Sequence, residues 1–253
     1  VGQSPNVGAA LIVSLGCEGT DHERMVEEIR AAGKPVEIIR IQELGGTSRA
    51  IQAGIDAAQR LVQEISGLQR ETVDISEVVM AIKCGASDTT SGMASNCVIG
   101  YVADKLVDLG ATVVFGETTE FLGGEHILAK RAVGGENGPI GQKIYEIVDR
   151  MEKRAKSVGE DMRGGQPTPG NIAGGLSSIE EKSLGAIVKS GHRPIQGVLE
   201  YCDRVDGQKG LWIKDAPGRE PEILTGMAAT GAQFMMFSTG RGAPQGFPSM
   251  PVI

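Results

Sequence analysis

Residues 7–16, VGAALIVSLG, form a nearly continuous apolar run that ends in the polar turn Gly16-Cys17-Glu18-Gly19. A short apolar run bounded by turn residues reads as a strand buried on both faces, as in a parallel sheet. A helix follows: Thr20 and Glu23 have capping-box spacing, Met25, Val26 and Ile29 recur at helical intervals, and Gly33 ends the segment. The same unit then repeats. Strand 36–42 (VEIIRIQ) leads through Gly45-Gly46-Thr47 to a helix with Ile51, Ile55, Ala58, Leu61, Val62 and Ile65 on one face. Strand 78–83 (VVMAIK) leads to a helix over 95–109, and strand 111–116 (ATVVFG) to helices over 125–132 and 140–158.

Four strand–helix units in succession predict an α/β protein of three layers, a mostly parallel sheet with flanking helices. The first half is expected to be Rossmann- or flavodoxin-like, with strand order 2-1-3-4, and to span residues 1–135. Residues 136–253 read as a second, less regular α/β lobe. It holds a Gly/Pro loop over 163–176 (RGGQPTPGNIAGGL), a helix over 178–189, and strands near 210–213 and 233–237 with a short helix between them. The apolar end, Pro251-Val252-Ile253, reads as an interrupted strand, and the missing initiator Met as a sign that the chain is a piece of a longer one.

Composition narrows the functional classes. The chain has 253 residues, 37 of them Gly, with 4% aromatics and a net charge of −7. A net negative chain without a basic cluster argues against nucleic acid and anionic membranes as partners. No apolar run approaches the ~18 residues of a transmembrane helix, and Val1-Gly2-Gln3-Ser4-Pro5 has no signal-peptide character, so a cytoplasmic location is expected. Four cysteines without tight spacing favour thiols or metal ligands over a disulfide framework. The sequence has no GxGxxG after the first strand, no GxxxxGK[ST] and no GxSxG, so dinucleotide, P-loop and α/β-hydrolase readings are weak.

Polar motifs follow each strand of the first half, where open α/β sheets bind ligands. In the order 2-1-3-4, Cys17 and Cys84 would face each other at the topological switch. Glu117, Glu120, Glu125 and His126 fall within ten residues, a pattern suited to a divalent metal or to acid–base chemistry. Ser87, Asp88, Thr89 and Ser91 precede a helix, so they read equally as a helix cap or as an anion cradle. Asn171 and Arg241 lie in Gly loops, and Arg241 suits a carboxylate clamp. Lys182, after Glu180-Glu181, reads evenly as a surface ion pair or a functional group. Cys97 and Cys202 read as packing residues.

Taken in order, GCE (16–18), QE.GGT (42–47), KCG.SDTTSG (83–92), GET.E..GGEH (116–126), PTPGN..GGL (167–176), EKSLG (181–185), D.PG..P...TG (215–226) and TGRG (239–242) resemble the catalytic region of the altronate/galactarate dehydratase family. That family also contains the large subunit of (2R)-sulfolactate sulfo-lyase. Ala86 replaces the family's second Gly in CGGSD, and Asn96-Cys97 stands where Asn-Pro is usual.

The resemblance implies an iron-dependent lyase that eliminates water from a sugar acid such as altronate or galactarate, giving a 2-keto-3-deoxy acid. Sulfite release from sulfolactate is the alternative, and a non-catalytic metal-binding fragment that needs a missing domain is the other. It implies Fe²⁺ (Mn²⁺ and an iron–sulfur cluster also being compatible), a small substrate-entry domain or subunit as partner, and a homo-oligomer. Cys17, Cys84, Glu125 and His126 are then expected at the metal. Glu18, Glu43, Glu117, Glu120 and Lys182 are expected to transfer protons or orient groups. Ser87, Asp88, Thr89, Ser91, Asn171 and Arg241 are expected to contact substrate, with Lys182 also suited to a substrate carboxylate.

Overall fold

The computed structural model describes residues 1–253, which divide into two compact units, Val1–Thr72 and Val73–Ile253. The first unit carries β1 (Ala10–Ser14), α1 (His22–Ala31), β2 (Val36–Arg40) and α2 (Thr47–Ile65). Its two strands pair in parallel, with Ala10 opposite Val36 and Ser14 opposite Arg40. Val26 and Ile29 of α1 bury against Val36, while Ala50 and Ala57 of α2 bury against Ile39. Asp21, rather than the expected Thr20, caps α1: its carboxylate accepts from the Arg24 amide at 3.0 Å.

The second unit is one five-stranded sheet. Its strands are β3 (Val79–Gly85), β4 (Thr112–Phe115), β5 (Ile195–Leu199), β6 (Gly210–Lys214) and β7 (Phe234–Thr239), in the order β5-β6-β4-β3-β7, and every pairing is parallel. Its helices are α3 (Asn96–Asp108), α4 (Glu125–Arg131), α5 (Pro139–Ser157), α6 (Met162–Gly165), α7 (Pro169–Ala173), α8 (Ile179–Ile187) and α9 (Glu220–Thr230). Strand residues alternate between two cores, as the pleat requires. Met80, Ile82, Val113 and Phe115 face Ile99, Ala103, Leu128, Ile144 and Ile147 on one side. Ala81, Val114 and Met235 face Ile223, Leu224 and Met227 of α9 on the other. The expected three layers are therefore present in this unit.

Three expectations change. The order 2-1-3-4 does not form: β1 pairs only with β2, and both edges of β3 are taken by β4 and β7. The division falls at 72/73 instead of 135/136, because strands from both sides of 135 build a single sheet. Strand β5 escaped the sequence reading. It is a short edge strand holding Gly197, where a Cβ would sit 2.2 Å from the Trp212 ring, so cross-strand packing requires a weak strand former there. The loop over 163–176 is ordered by α6 and α7, the latter closed by a Thr168–Asn171 capping box. At the chain end, the Ile253 amide donates to the Met235 carbonyl at 2.9 Å, and Val252 bridges β7 in parallel. No helix is long and apolar enough to cross a membrane.

Candidate active site

Strand β3 is buried along nearly its whole length, yet it contains Lys83, whose side chain is 1% exposed. Pleating sends Lys83 toward the α9 side and its neighbour Cys84 toward the opposite side. Lys83 thus lies 5.2 Å from the Phe237 ring centroid and 3.4 Å from Glu220 of α9. Cys84 meets Lys189, which is fully buried just after α8.

Glu117, directly after β4, closes the end of the sheet between them. It adopts a left-handed backbone (φ 72°, ψ 61°), a strained conformation for a non-Gly residue that here turns the chain back toward β3. Its Oε1 accepts from Lys83 Nζ at 2.7 Å. Its Oε2 accepts from Lys189 Nζ at 2.7 Å and from the Cys84 amide at 3.1 Å. Glu120, one turn on, accepts from Lys189 Nζ at 2.9 Å and from the Cys84 thiol at 3.1 Å. Lys189 Nζ is also 3.0 Å from Cys84 Sγ. The two buried lysines are therefore paired with Glu117 and Glu120, and Lys83 also with the partly exposed Glu220, the arrangement under which buried charge is tolerated.

Neighbouring elements hold these groups in place. Thr118, between the two glutamates, donates to Asp215 at 2.6 Å, and Arg150 of α5 grips the other Asp215 oxygen at 2.5 Å. Segment 188–191 approaches α3 so closely that a Cβ on Gly100 would lie 2.4 Å from the Val188 carbonyl oxygen. That approach seats Lys189.

Burial pushes the Cys84 thiol well above the ordinary cysteine value, and the nearby carboxylates add to this against the pull of Lys189. Burial and the charge on Glu120 likewise raise Glu117, outweighing its two lysines. For Glu120 burial again acts upward, but Lys189 and then Lys182 outweigh it and leave the carboxyl at about 2. Burial acts to lower Lys189, but Cys84, Glu117 and Glu120 outweigh it and hold the ammonium well above the usual lysine value.

The cluster opens into a cavity of about 250 Å³ lined by Lys83, Cys84, Glu117, Glu120, Asn171 and Lys182, among others. Lys182 Nζ donates to Gln166 at 2.8 Å, and Lys182 also lines adjoining cavities of about 240 and 310 Å³.

The other expected residues are placed as follows. Ser91 and Asp88 close their own turn: the Ser91 amide donates to Asp88 Oδ1 at 2.7 Å, and the Asp88 amide donates to the Ser91 hydroxyl at 3.0 Å. Thr89 donates from its hydroxyl to the Gly174 carbonyl at 3.2 Å, and Asn171 from its amide to the Ser87 carbonyl at 2.8 Å. The loop is thus closed by its own side chains, although neither segment 91–95 nor α3 takes a side-chain cap hydrogen bond, and Asn171 fastens it to α7. Arg241 donates to the Gly170 carbonyl at 2.9 Å from an exposed position.

Of the expected metal set, Cys84 alone belongs to the compact group of possible ligands in the second unit. Cys84, Glu117 and Glu120 place ligand atoms within 4.8 Å of one another, whereas His126 is exposed on α4 and Glu125 Oε2 is buried without a hydrogen-bond partner. Helix α4 starts at Glu125, after the Gly123-Gly124 pair that follows the turn bearing Glu117 and Glu120.

Cys17, Glu18 and Glu43 belong to the first unit. Glu18 accepts from the Leu15 and Gly16 amides at 2.9 and 2.7 Å, and backbone hydrogen bonding holds its carboxyl at about 2. It is a loop-closing group. Cys17 is exposed and accepts from Gln42 at 3.4 Å, and Glu43 is exposed beside Arg40. Lys83, Lys189 and Glu220 were absent from the sequence reading. The available signal was a lysine inside an otherwise apolar strand, VVMAIK.

Known proteins match across both units. The description "D-galactarate/Altronate dehydratase, C-terminal" matches residues 75–253, and "D-galactarate dehydratase/Altronate hydrolase, second domain" matches residues 1–66. The chain belongs to the galactarate/altronate dehydratase family. It is 41% identical over 253 residues to a (2R)-sulfolactate sulfo-lyase subunit beta of Chromohalobacter salexigens, covering 100% of this chain and 64% of that protein. It is 34% identical over 246 residues to an altronate dehydratase of Bacillus subtilis, covering 96% of this chain and 47% of that protein. A galactarate dehydratase (L-threo-forming) of Escherichia coli is 35% identical over 259 residues, with coverages of 99% and 48%. The chain therefore spans about half to two-thirds of the length of these relatives. The boundary between the two family regions, 66 to 75, brackets the division at 72/73.

Proposed function

We propose that the chain is the catalytic region of a lyase that eliminates water from a sugar acid such as altronate or galactarate, giving a 2-keto-3-deoxy acid. The observation that carries this reading is the buried Cys84–Glu117–Glu120–Lys189 cluster at the carboxyl ends of β3 and β4, facing Lys182 across one cavity.

The chemistry follows from the charges. Elimination removes the C2 proton of a 2-hydroxy acid, expels the C3 substituent, and leaves an enol that becomes the 2-keto acid. Lys182 is the cation placed to hold the substrate carboxylate. Glu120 lines the same cavity and is the proposed proton acceptor. In the free protein Lys182 helps hold Glu120 at low pKa. Once Lys182 engages a substrate carboxylate, Glu120 loses part of that stabilisation and gains a like charge nearby. Both changes raise its pKa and make it a stronger base. Glu117, bound by both buried lysines, fixes the geometry of the set.

An Fe²⁺ requirement, with Mn²⁺ or a cluster as alternatives, comes from the family resemblance. One thiol and two carboxylates suit iron by donor type. In this chain all three already contact the Lys189 ammonium, so they do not fit a metal ion as well.

Sulfite release is the second reading, favoured by the 41% identity to the sulfo-lyase subunit. It uses the same C2 deprotonation with sulfite leaving from C3. By the same resemblance, a small substrate-entry domain or subunit, a homo-oligomer and a cytoplasmic setting belong to the proposal. The test supplies full-length protein, with and without Fe²⁺, with altronate, galactarate or (2R)-sulfolactate, and measures 2-keto acid and sulfite. Keto acid without sulfite supports the first reading and both together support the second. Turnover of none of them by folded protein refutes both.

A further inference from the structure

Lys189 contacts one potential ligand atom of each residue in the one cluster that resembles a metal site. Its Nζ lies 3.0 Å from Cys84 Sγ, 2.7 Å from Glu117 Oε2 and 2.9 Å from Glu120 Oε2, and those three residues are the ones whose ligand atoms fall within 4.8 Å of one another. Three contacts match the three hydrogens of an ammonium. The side chain is fully buried and lies behind the cavity, while Cys84, Glu117 and Glu120 line it.

We propose that Lys189 is the resident cation of the Cys84–Glu117–Glu120 cage, a positioning residue that takes the place a divalent metal would otherwise occupy. The geometry carries this in two ways. The ammonium already engages one atom of each of the three residues, so an ion taking all three atoms would have to displace Nζ or compete with its charge and hydrogen bonds. The lysine is also held there by its surroundings. Gly100 admits the Val188 carbonyl against α3, and the Arg131 guanidinium fastens the next residue through the Ser190 hydroxyl at 2.9 Å and the Ser190 carbonyl at 3.2 Å. Lys189 thereby keeps the Glu120 carboxylate and the Cys84 thiol aimed into the cavity, and a metal serving the reaction has to bind elsewhere. The proposal does not depend on which acid is the substrate.

The experiment is titration of the full-length protein with Co²⁺, read by the near-ultraviolet thiolate-to-cobalt charge-transfer band and by equilibrium dialysis. Four proteins are compared: wild type, Lys189→Ala, Cys84→Ser and the Lys189→Ala/Cys84→Ser double variant. The expected result is a wild-type spectrum unchanged by Cys84→Ser, meaning no cobalt on that thiol. Lys189→Ala is expected to gain about one equivalent of Co²⁺ with a band that the double variant loses. A Cys84-dependent band in wild type overturns the proposal, since the lysine would then yield to metal. So does a folded Lys189→Ala that gains no Cys84-dependent site. Should Lys189→Ala fail to fold, the isosteric Lys189→Met replaces it, and the wild-type comparison with Cys84→Ser decides by itself.

Discussion

Replacing Glu117 with Gln tests the charge balance directly. The substitution keeps the shape of a side chain that is 1% exposed but removes the charge facing Lys83 and Lys189, each 2.7 Å away. Lys83 then keeps only the partly exposed Glu220, 3.4 Å away, and Lys189 only Glu120. Breaking a buried pair by removing one partner costs about 3–5 kcal/mol, a large share of the roughly 5–15 kcal/mol that holds a domain together. For a unit of this size that corresponds to a fall in Tm of roughly 6–20 °C.

The assay is urea and thermal unfolding followed by fluorescence of Trp212, the chain's only tryptophan, which lies in β6 and so reports the second unit. Adding Lys83→Met removes the ammonium that has lost its buried partner. The double variant is therefore expected to be more stable than the sum of the two single losses, with a coupling of about 0.5–3 kcal/mol. A loss below about 1 kcal/mol for Glu117→Gln, the size measured for exposed pairs, together with strict additivity, would refute the buried-network reasoning.

Three further outcomes follow from the same geometry. Native protein treated with iodoacetamide at neutral pH is expected to be alkylated at the exposed Cys17, Cys97 and Cys202, with Cys84 labelled only after unfolding, as read by peptide mass spectrometry. Glu120, held at about 2 against an ordinary 4.5, stabilises the fold above pH 4.5, and this contribution disappears as pH falls from about 4.5 to 2. The stability gap between wild type and Glu120→Gln, measured as a shift in urea midpoint, is therefore expected to narrow by roughly 3 kcal/mol over that range. Gly100→Ala is expected to cost about 1–3 kcal/mol, because its methyl meets the Val188 carbonyl oxygen and displaces the segment carrying Lys189. Calorimetry checks the loss, and cobalt binding at Cys84 checks the displacement.

Much of the architecture was legible because it is local. Apolar runs marked β1 to β4, and glycines and polar residues marked their ends. Strand order was not legible. The expected 2-1-3-4 extends a local rhythm across the chain, whereas the neighbour that closes β3 is β7, about 150 positions later in sequence. The site was partly legible for the same reason. Cys84, Glu117, Glu120 and Lys182 sit in dense polar motifs and meet at one cavity. Glu125 and His126 share such a motif but lie outside the group of close ligand atoms formed by Cys84, Glu117 and Glu120, which residue spacing alone does not reveal. Lys83 and Lys189 were missed because each lies in an apolar stretch. A lysine at such a place is worth reading as a partner for buried acids, since an unpaired ammonium there is too costly to keep.

The role of Glu120 is the point on which the catalytic proposal stands. The most direct measurement is kcat and KM for 2-keto acid formation by full-length Glu120→Gln against wild type, on whichever substrate the wild type turns over, with circular dichroism confirming the fold. The proposal predicts a fall in kcat of about 10²–10⁴-fold, the usual contribution of a positioned acid or base, with KM little changed. A folded Glu120→Gln whose kcat stays within a few-fold of wild type would contradict it.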